Sequence, residues 1–244
     1  MNSALTLKER TISLINNENS NAKGIDYTRL YEYRFLDIPQ SSRNGVWGEI
    51  APWIFRQMGS PNHLLDPAAG RGEFIKAAPA PHRTAIDQVN QQSEGWGEID
   101  FVLGDALNLD LPAKSFDGIF VSNFLEHLAT QNEVADFLHR MFQLLSPGGS
   151  IAIMGPNFRY CTKEYFDFAD HTLPLTHRSV EEHLAAAKFE IVRVIPKFLP
   201  FSFKSHTPRS PFLVKNYLRF SPAWKFLGKQ FLVIATRPRS VNSQ

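Results

Sequence analysis

The sequence predicts an α/β fold built on a mainly parallel sheet of seven strands, with helices on both faces. Short apolar runs typical of buried strands recur along the chain, helical segments separate most of them, and a glycine-rich turn follows the first run. Strands that alternate with helices connect through right-handed crossovers, which makes neighbouring strands parallel. The predicted strands are His63–Asp66, Arg83–Asp87, Phe101–Leu103, Gly118–Ser122, Ser150–Met154, Phe189–Ile195 and Gln230–Thr236.

Helices are predicted before the first strand and between the later ones. Tyr27–Phe35 is aromatic, and Val46–Met58 carries apolar residues at helical spacing. A capping-box pattern begins a helix over Thr130–Leu145, and Ser146–Gly149 then ends it because a proline and two glycines disfavour its continuation. A second capping-box pattern begins a helix over Ser179–Lys188.

Composition favours a single soluble domain over residues 1–244. Of the 244 residues 43% are hydrophobic, and the single cysteine, Cys161, excludes an internal disulfide and a cysteine-based zinc site. Residues 1–24 are polar and rich in Asn and Ser, so we expect a mobile lead without the apolar core of a signal peptide. No apolar run reaches the ~20 residues of a membrane span. We therefore expect a cytoplasmic location.

The most informative segment is the turn after the first strand. Leu64–Phe74 runs from two leucines into Asp66, then through small residues into a short helical run. Gly70 and Gly72 permit backbone angles that a Cβ disfavours, and the start of the helix presents free N–H groups to a ligand. A dinucleotide fingerprint needs a third glycine where Ile75 stands, so the turn predicts a different nucleotide cofactor.

Further motifs follow this turn in order. Asp87 ends the second strand, 21 residues after Asp66, where a carboxylate can accept both hydroxyls of a ribose. With the turn, the motifs resemble those of class I S-adenosylmethionine (SAM)-dependent methyltransferases over about residues 46–238. Two residues depart from the family pattern: Ala68 replaces a glycine, and Pro67 removes an N–H donor. The remaining motifs are Gly104–Ala106, Phe116–Leu128, Leu144–Gly149 and Gly155–Asn157.

The resemblance implies a Rossmann-like, seven-stranded mixed sheet with an antiparallel last strand. It also implies SAM as the cofactor and S-adenosylhomocysteine (SAH) as the product. For most of the implied cofactor-binding residues a structural alternative exists, in which the residue only braces or caps its turn. The implied contacts are Asp66, Ala68, Gly70 and Gly72 with the methionine moiety, Asp87 with the ribose, Asp105 and Ala106 with the adenine, and Asn123 with the methionine ammonium.

Arg43 and Trp47 lie one helical turn apart, shortly before the first strand. An arginine at this place can pair with the SAM carboxylate in bidentate fashion. The alternative is a surface arginine beside a packed tryptophan. We include both residues among the candidates for cofactor binding.

Candidate catalytic residues follow the fourth and fifth predicted strands. Methyl transfer is an in-line displacement in which the protein mainly aligns the reactants, although a hydroxyl acceptor needs a general base. His127 follows the fourth strand, and Asp170, His171 and His177 lie in an aromatic loop after the fifth. We expect the Asp170 carboxylate and the His171 imidazole to act together as the general base, with His127 as the alternative. We expect no metal site.

A basic, aromatic segment, residues 196–229, separates the last two predicted strands. From residue 188 onward the chain has eleven Lys or Arg and one acid, Glu190. Ser210-Pro211 and Ser221-Pro222 each predict a short helix with proline in its first turn. The segment is either a lid that packs on the sheet or a contact with an anionic membrane surface. Nucleic acid is the least favoured partner, since no recognised nucleic-acid-binding module accompanies the segment.

Two segments also resemble methyltransferases of bacterial glycan and surface-polysaccharide assembly. They are Asp167–His171 and Phe198–Ser205. This resemblance implies a small-molecule or glycan acceptor. The methyl group would go to a hydroxyl of a sugar attached to a lipid carrier, and the enzyme would lie at the inner face of the membrane. Two alternatives stay open: a non-catalytic SAM-binding or scaffold protein, and a membrane-peripheral adaptor. The sequence does not indicate an oligomeric state.

Overall fold

The structure is a computed structural model, and it describes residues 25–89, 95–108, 111–201 and 210–239. The predicted lead, 1–24, and residues 202–209 of the basic segment lie outside this range. The helices are α1 (Tyr27–Phe35), α2 (Gln40–Gln57), α3 (Glu73–Ala77), α4 (Gln131–Leu144), α5 (Phe158–Cys161), α6 (His177–Ala186), α7 (Pro211–Arg219) and α8 (Pro222–Leu227). The strands are β1 (His63–Asp66), β2 (His82–Asp87), β3 (Asp100–Leu103), β4 (Phe116–Ser122), β5 (Leu145–Pro156), β6 (Glu190–Ile195) and β7 (Gln230–Thr236).

The strands form one mixed sheet in the order β3-β2-β1-β4-β5-β7-β6. The first five strands of this order are parallel, whereas β7 runs antiparallel to both β5 and β6. The predicted seven-stranded, mainly parallel sheet with an antiparallel last strand is thereby confirmed. The carboxyl ends of the five parallel strands all lie at one edge, which is where such sheets bind ligands.

Two hydrophobic cores lie on opposite faces of the sheet because side chains alternate along each strand. In β4, Ile119 and Val121 belong to one core, and Phe120 between them belongs to the other. Leu64 of β1 joins the Phe120 core with α2 and α3, whereas Leu65 joins the Ile119 core with α4 and α6. Helices therefore cover both faces, as the sequence predicts.

Two predicted helix starts are wrong. α2 begins at Gln40 and not at Val46. The apolar pattern missed its first turns because they are mostly polar, and Arg43 is their one buried residue. α6 begins at His177 after Thr176, which is the N-cap residue, and Ser179 completes the capping box from the third helical position. The prediction of Ser179 as the first residue of the capping box is therefore wrong: the N-cap is Thr176, three residues earlier.

The predicted turn at Ser146–Gly149 is part of β5. This strand begins at Leu145, directly after α4, and pairs with β4 at both Leu145 and Ser150. The register between these two pairs is irregular, and Gly148 has a φ of 84° there. The glycines therefore accommodate an irregular strand start instead of a separate turn.

The two helices of the basic segment pack on the same face as α2. The Tyr217 hydroxyl donates to the Phe198 carbonyl at 2.6 Å, and Trp224 Nε1 donates to the Tyr217 carbonyl at 2.8 Å. Trp224 and Phe198 also contact Trp53 of α2. Proline occupies the first turn of each helix, as predicted, although neither preceding serine side chain makes a capping bond. No helix among the described residues is long and apolar enough to cross a membrane.

A glycine on α2 sets how closely α7 approaches. A Cβ on Gly45 would lie 2.9 Å from Cγ of Pro211, whereas a Cβ on Gly48 of the same helix would meet nothing within 4 Å. We expect Gly48→Ala to raise the free energy of unfolding by roughly 0.5–1 kcal/mol through helix propensity. Gly45→Ala should be about 1–3 kcal/mol less stable than Gly48→Ala, because the rigid proline ring must shift. Urea denaturation measures both values, and equal stabilities would contradict this close approach.

Candidate functional site

A cavity of about 970 Å³ opens at the carboxyl ends of the parallel strands. Its first part is lined by the turn after β1 and by residues at the ends of β2, β3 and β4. Its second part contains His127, Phe168 and His171, and its third part is formed by apolar side chains of α7 and of residues 199–201. Of the predicted site residues, Gly72, Asp170 and His177 do not line this cavity.

The turn after β1 is tied to the end of β2 by the carboxylate of Asp87. One carboxylate oxygen accepts the Gly70 N–H at 2.7 Å, and the other accepts the Val89 N–H at 2.8 Å. Burial raises the pKa of Asp87 above its ordinary value, and the two N–H donors oppose that rise. Gly70 and Gly72 have φ values of 54° and 76°, and a Cβ on Gly72 would lie 2.6 Å from the Trp96 ring. Both glycines are therefore required by the turn itself.

Asp66 is buried beneath this turn at the end of β1. Within the described ranges its carboxylate accepts one long hydrogen bond, from the Ala68 N–H at 3.4 Å, and the intervening Pro67 has no N–H to offer. Burial raises the pKa of Asp66 to about 8, and the nearby Asp87 carboxylate adds to that rise. At neutral pH the group is therefore mostly a neutral acid at the wall of the cavity.

Asp105 and Asn123 each stabilise a turn beside the cavity. Asp105 accepts the Leu107 N–H at 3.0 Å and the side-chain amide of Asn108 at 2.6 Å, and Ala106 is buried next to it. Asn123 has a φ of 49°, and its N–H donates to the Met154 carbonyl at 2.9 Å. Both residues therefore have a structural role, and both also line the cavity.

Arg43 and Trp47 form the wall of the cavity on α2. Arg43 is buried, which excludes the surface arginine of the alternative interpretation. Its guanidinium lies 4.3 Å from the centre of the Phe35 ring and 3.5 Å from the Glu73 carboxylate. Trp47 packs edge-on against Phe74 at 6.2 Å, in the core beneath the turn. The geometry thus joins both residues to the cavity wall and to the helix that follows the turn.

The two histidines of the cavity lie side by side, but their partners differ from those expected. His127 Nδ1 lies 2.8 Å from the Asp170 carbonyl oxygen, and its ring centre lies 5.2 Å from that of His171. The Asp170 carboxylate forms an ion pair with Arg34 of α1. The prediction that Asp170 and His171 act together as the general base is therefore wrong. The Asp170 carboxylate is paired with Arg34, and its carbonyl oxygen is hydrogen-bonded to His127.

The electrostatics of this cluster follow from its burial. Desolvation lowers the pKa of His171 to about 4, so its imidazole is neutral at neutral pH, and Phe168 stacks on it at 4.9 Å. The Arg34 guanidinium holds the pKa of Asp170 below its ordinary value despite burial. His177 takes no part, because its Nδ1 accepts a hydrogen bond from the Asn157 amide at 2.9 Å within the interior.

Sequence reasoning missed Arg34 and Glu126. Glu126 is 3% exposed, and burial raises its pKa to about 7. Its Oε1 and the Nδ1 of His171 are both buried, and neither has a hydrogen-bond partner among the described residues. Glu126 stands beside His127 in the sequence, which was the available signal. Arg34 reaches the cluster only through the packing of α1, which no local pattern reveals.

The comparisons with known proteins agree with this geometry. A family model described as "Methyltransferase domain" matches residues 65–153, which run from β1 into β5. A SAM-dependent methyltransferase from Archaeoglobus fulgidus is 19% identical, with a TM-score of 0.62, and the match covers 86% of this chain and 100% of that one. No curated protein matches the chain.

Two other solved structures show how widely the fold is used. The [4+2]-cyclase SpnF is 16% identical with a TM-score of 0.57, and the match covers 79% of this chain and 81% of that one. Geranyl diphosphate C-methyltransferase from Streptomyces coelicolor, solved with Mg²⁺, geranyl diphosphate and SAH, is 13% identical with a TM-score of 0.56. That match covers 77% of this chain and 76% of the other.

The chain therefore has the fold of the class I SAM-dependent methyltransferases, and its residues 65–153 match the methyltransferase-domain family model. The domain match and the fold support SAM as the cofactor. The candidate region for such a cofactor is the first part of the cavity, at the turn after β1 and the ends of β2, β3 and β4.

The raised pKa of Asp66 predicts a pH-dependent stability. A carboxyl group whose pKa is higher in the folded chain binds more protons when folded, so its contribution is complete below 3.8 and is lost as the pH rises through about 8. Between about pH 5 and pH 8, the wild type should lose more stability than Asp66→Asn, by more than the ~1.4 kcal/mol of one pKa unit. Denaturant titrations at both pH values test this. Parallel losses in the two proteins would show that another group titrates.

Proposed function

We propose that the chain is an enzyme that transfers the methyl group of SAM to a hydroxyl of an acceptor bound in the same cavity. The observation that carries this proposal is the continuity of that cavity, which joins the turn around Asp87 to the imidazoles of His127 and His171. A methyl donor at the turn and a hydroxyl beside the histidines would share one enclosed space.

The cofactor contacts follow from the residues at the turn. Each Asp87 oxygen already accepts one N–H and retains a lone pair for a ribose hydroxyl. Gly70 leaves room for the methionine moiety against the backbone, and the Asn123 carbonyl is the candidate for its ammonium group. Asp105 and Ala106 border the adenine position. Arg43 at the opposite wall is the candidate partner of the carboxylate.

The transfer itself is an in-line displacement at the methyl carbon. The methyl group is bonded to a sulfonium, which leaves as the neutral thioether of SAH, so the protein contributes mainly alignment and the exclusion of water. The acceptor hydroxyl would lie beside His127 and His171, which are the side chains placed to act on its proton. Asp170 acts as a positioning residue, since its carbonyl oxygen lies within hydrogen-bond distance of the His127 ring.

We further propose that the acceptor is a sugar or other small molecule with a lipid-like part. The third part of the cavity has an apolar lining that suits such a group, whereas a free sugar would leave it filled with water. Its lining includes Leu199, Phe201, Leu213, Val214 and Tyr217.

The outer side of α7 and α8 supports delivery of this acceptor from an anionic membrane surface. Phe212, Phe220 and Phe226 are 71%, 62% and 84% exposed. Exposed basic side chains accompany them, and this combination of aromatic and cationic residues is typical of interfacial helices. The enzyme would then be cytoplasmic and peripheral to the inner face of the membrane. The basic residues are Lys215, Arg219 and Lys225.

Calorimetry with SAM and SAH tests the cofactor site. Asp87→Asn should weaken the binding of both by about 1–3 kcal/mol, because the ribose loses a charge-assisted acceptor. The control is Asp100→Asn, which makes the same charge change on an exposed residue at the start of β3, away from the cavity edge of the sheet. This variant should bind SAM and SAH as the wild type does. No binding at millimolar SAM, or an unchanged affinity in Asp87→Asn, would refute the assigned site.

Turnover separates an enzyme from a non-catalytic SAM-binding scaffold. The wild type should release SAH from SAM when polyprenyl-linked sugars are supplied. A scaffold would bind SAM with the same dependence on Asp87 and release none.

Vesicle co-sedimentation tests the membrane contact. The double variant Phe220→Ser/Phe226→Ser should bind vesicles of phosphatidylglycerol and phosphatidylcholine at least about tenfold more weakly, because each buried phenylalanine contributes about 1.5–3 kcal/mol. Val192→Ser, which alters an exposed apolar residue on β6, is the control and should bind normally. Equal binding of all three proteins, or the absence of binding by the wild type, would exclude this surface.

A further inference from the structure

Three potential metal ligands converge beside the cavity. Glu126, His127 and His171 each offer a ligand atom, and these atoms all lie within 4.8 Å of one another. Glu126 and His127 belong to the short 3-10 helix Leu125–His127 that follows β4, and His171 belongs to the loop after β5. The two segments are joined directly, because the N–H groups of Thr172 and Leu173 donate to the Glu126 carbonyl at 2.9 and 3.1 Å.

Two polar atoms of this cluster are buried without a hydrogen bond. They are Oε1 of Glu126 and Nδ1 of His171, considered among the described residues. A buried carboxylate oxygen without a partner costs free energy, which a bound cation would compensate. The neighbouring cation, Arg34, is already paired with Asp170.

His127 is held in the tautomer that a metal ligand requires. Its Nδ1 lies 2.8 Å from the Asp170 carbonyl oxygen, which can only accept, so the ring donates from Nδ1. Nε2 therefore keeps the lone pair that can bind a metal. A histidine ligand whose other nitrogen donates to a backbone carbonyl is the usual arrangement in metal sites.

We propose that Glu126, His127 and His171 bind a divalent transition-metal cation. Two imidazoles and one carboxylate favour Zn²⁺, Mn²⁺ or Fe²⁺ over Mg²⁺, which prefers oxygen ligands. Three protein ligands leave at least one coordination position for another molecule. His127 and His171 line the cavity, so that position is available to a molecule bound within it.

The chemical consequence rests on the proposed function. The acceptor hydroxyl would occupy the open position, where the cation lowers the pKa of the hydroxyl. Its proton passes to solvent, the oxygen forms a bond to the methyl carbon, and the electron pair of the broken C–S bond stays on the sulfur of SAH. His127 and His171 then act on the hydroxyl as ligands of the cation instead of as the base that the sequence predicts.

Direct metal binding tests the site without SAM or an acceptor. The full chain is treated with a chelator and titrated with Mn²⁺, followed by electron paramagnetic resonance, and with Zn²⁺, followed by calorimetry. The wild type should bind one ion per chain. Glu126→Gln and His171→Asn should each weaken binding roughly tenfold or more. His139→Asn, an exposed histidine of α4 that contacts Gln143, is the matched control and should bind as the wild type does.

The outcomes distinguish this site from the proposed function. An absence of saturable binding in the wild type, or wild-type affinity in Glu126→Gln, would overturn the site whatever the activity. If circular dichroism shows that a variant does not fold, His127→Asn takes its place and should also bind the metal more weakly. The stoichiometry of one ion per wild-type chain is then the second criterion. Metal binding without SAH release would leave the site standing and remove the proposed function. SAH release that survives complete removal of metal would overturn the role of the cation in catalysis.

Discussion

The parallel pairing of β1 with β2 and β4 is the constraint on which the site depends. Asp66 lies opposite Ala85 in β2, and Leu65 lies opposite Ile119 in β4, so the three strands run in the same direction. Their last residues therefore meet at one edge, and the chain turns away from the sheet there three times. Were any of these strands reversed, its terminal residues would lie at the far edge. The shared cavity is a direct consequence of the parallel direction.

Two kinds of interaction hold the two halves of this cavity. The half at the turn after β1 depends on hydrogen bonds from the Gly70 and Val89 N–H groups to the Asp87 carboxylate, which tie the turn to the end of β2. The other half depends on the ion pair between Arg34 and Asp170, which lie 136 residues apart in the sequence. Removing one partner of a buried ion pair leaves an uncompensated charge, so the histidine cluster requires α1 in place. α1 lies before residues 65–153, so the histidine half of the cavity depends on a helix outside the methyltransferase-domain match.

The sequence predicts those parts of the fold and the cavity that depend on neighbouring residues, and it misses those that depend on contacts between distant segments. β1, β7 and α1 have the predicted bounds because the signals that define them lie within each segment. The turn around Gly70 was likewise recognised, since its small residues, its acid and the following helix are contiguous. The histidine cluster was not predicted correctly. Asp170 and His171 are neighbours in sequence, but the Asp170 carboxylate points to Arg34. Glu126 was overlooked because only the fold reveals that its carboxylate is buried.

The fold by itself does not decide the reaction, since it is shared with a [4+2]-cyclase as well as with methyltransferases. Alignment of a SAM methyl group is what the turn and strand ends can contribute, and that part is common to the fold. A hydroxyl is a weak nucleophile until its proton is withdrawn, so an enzyme acting on one needs a further device beyond the turn. In this chain His127 and His171 line the cavity near Phe168, together with Arg34, whose guanidinium lies 4.8 Å from the centre of the Phe168 ring. Desolvation disfavours a proton on His171, and a buried Glu126 oxygen beside it has no hydrogen-bond partner among the described residues, so the cluster is better suited to a cation than to a proton. Under the proposed function, a cation at this cluster is the device that activates the acceptor hydroxyl.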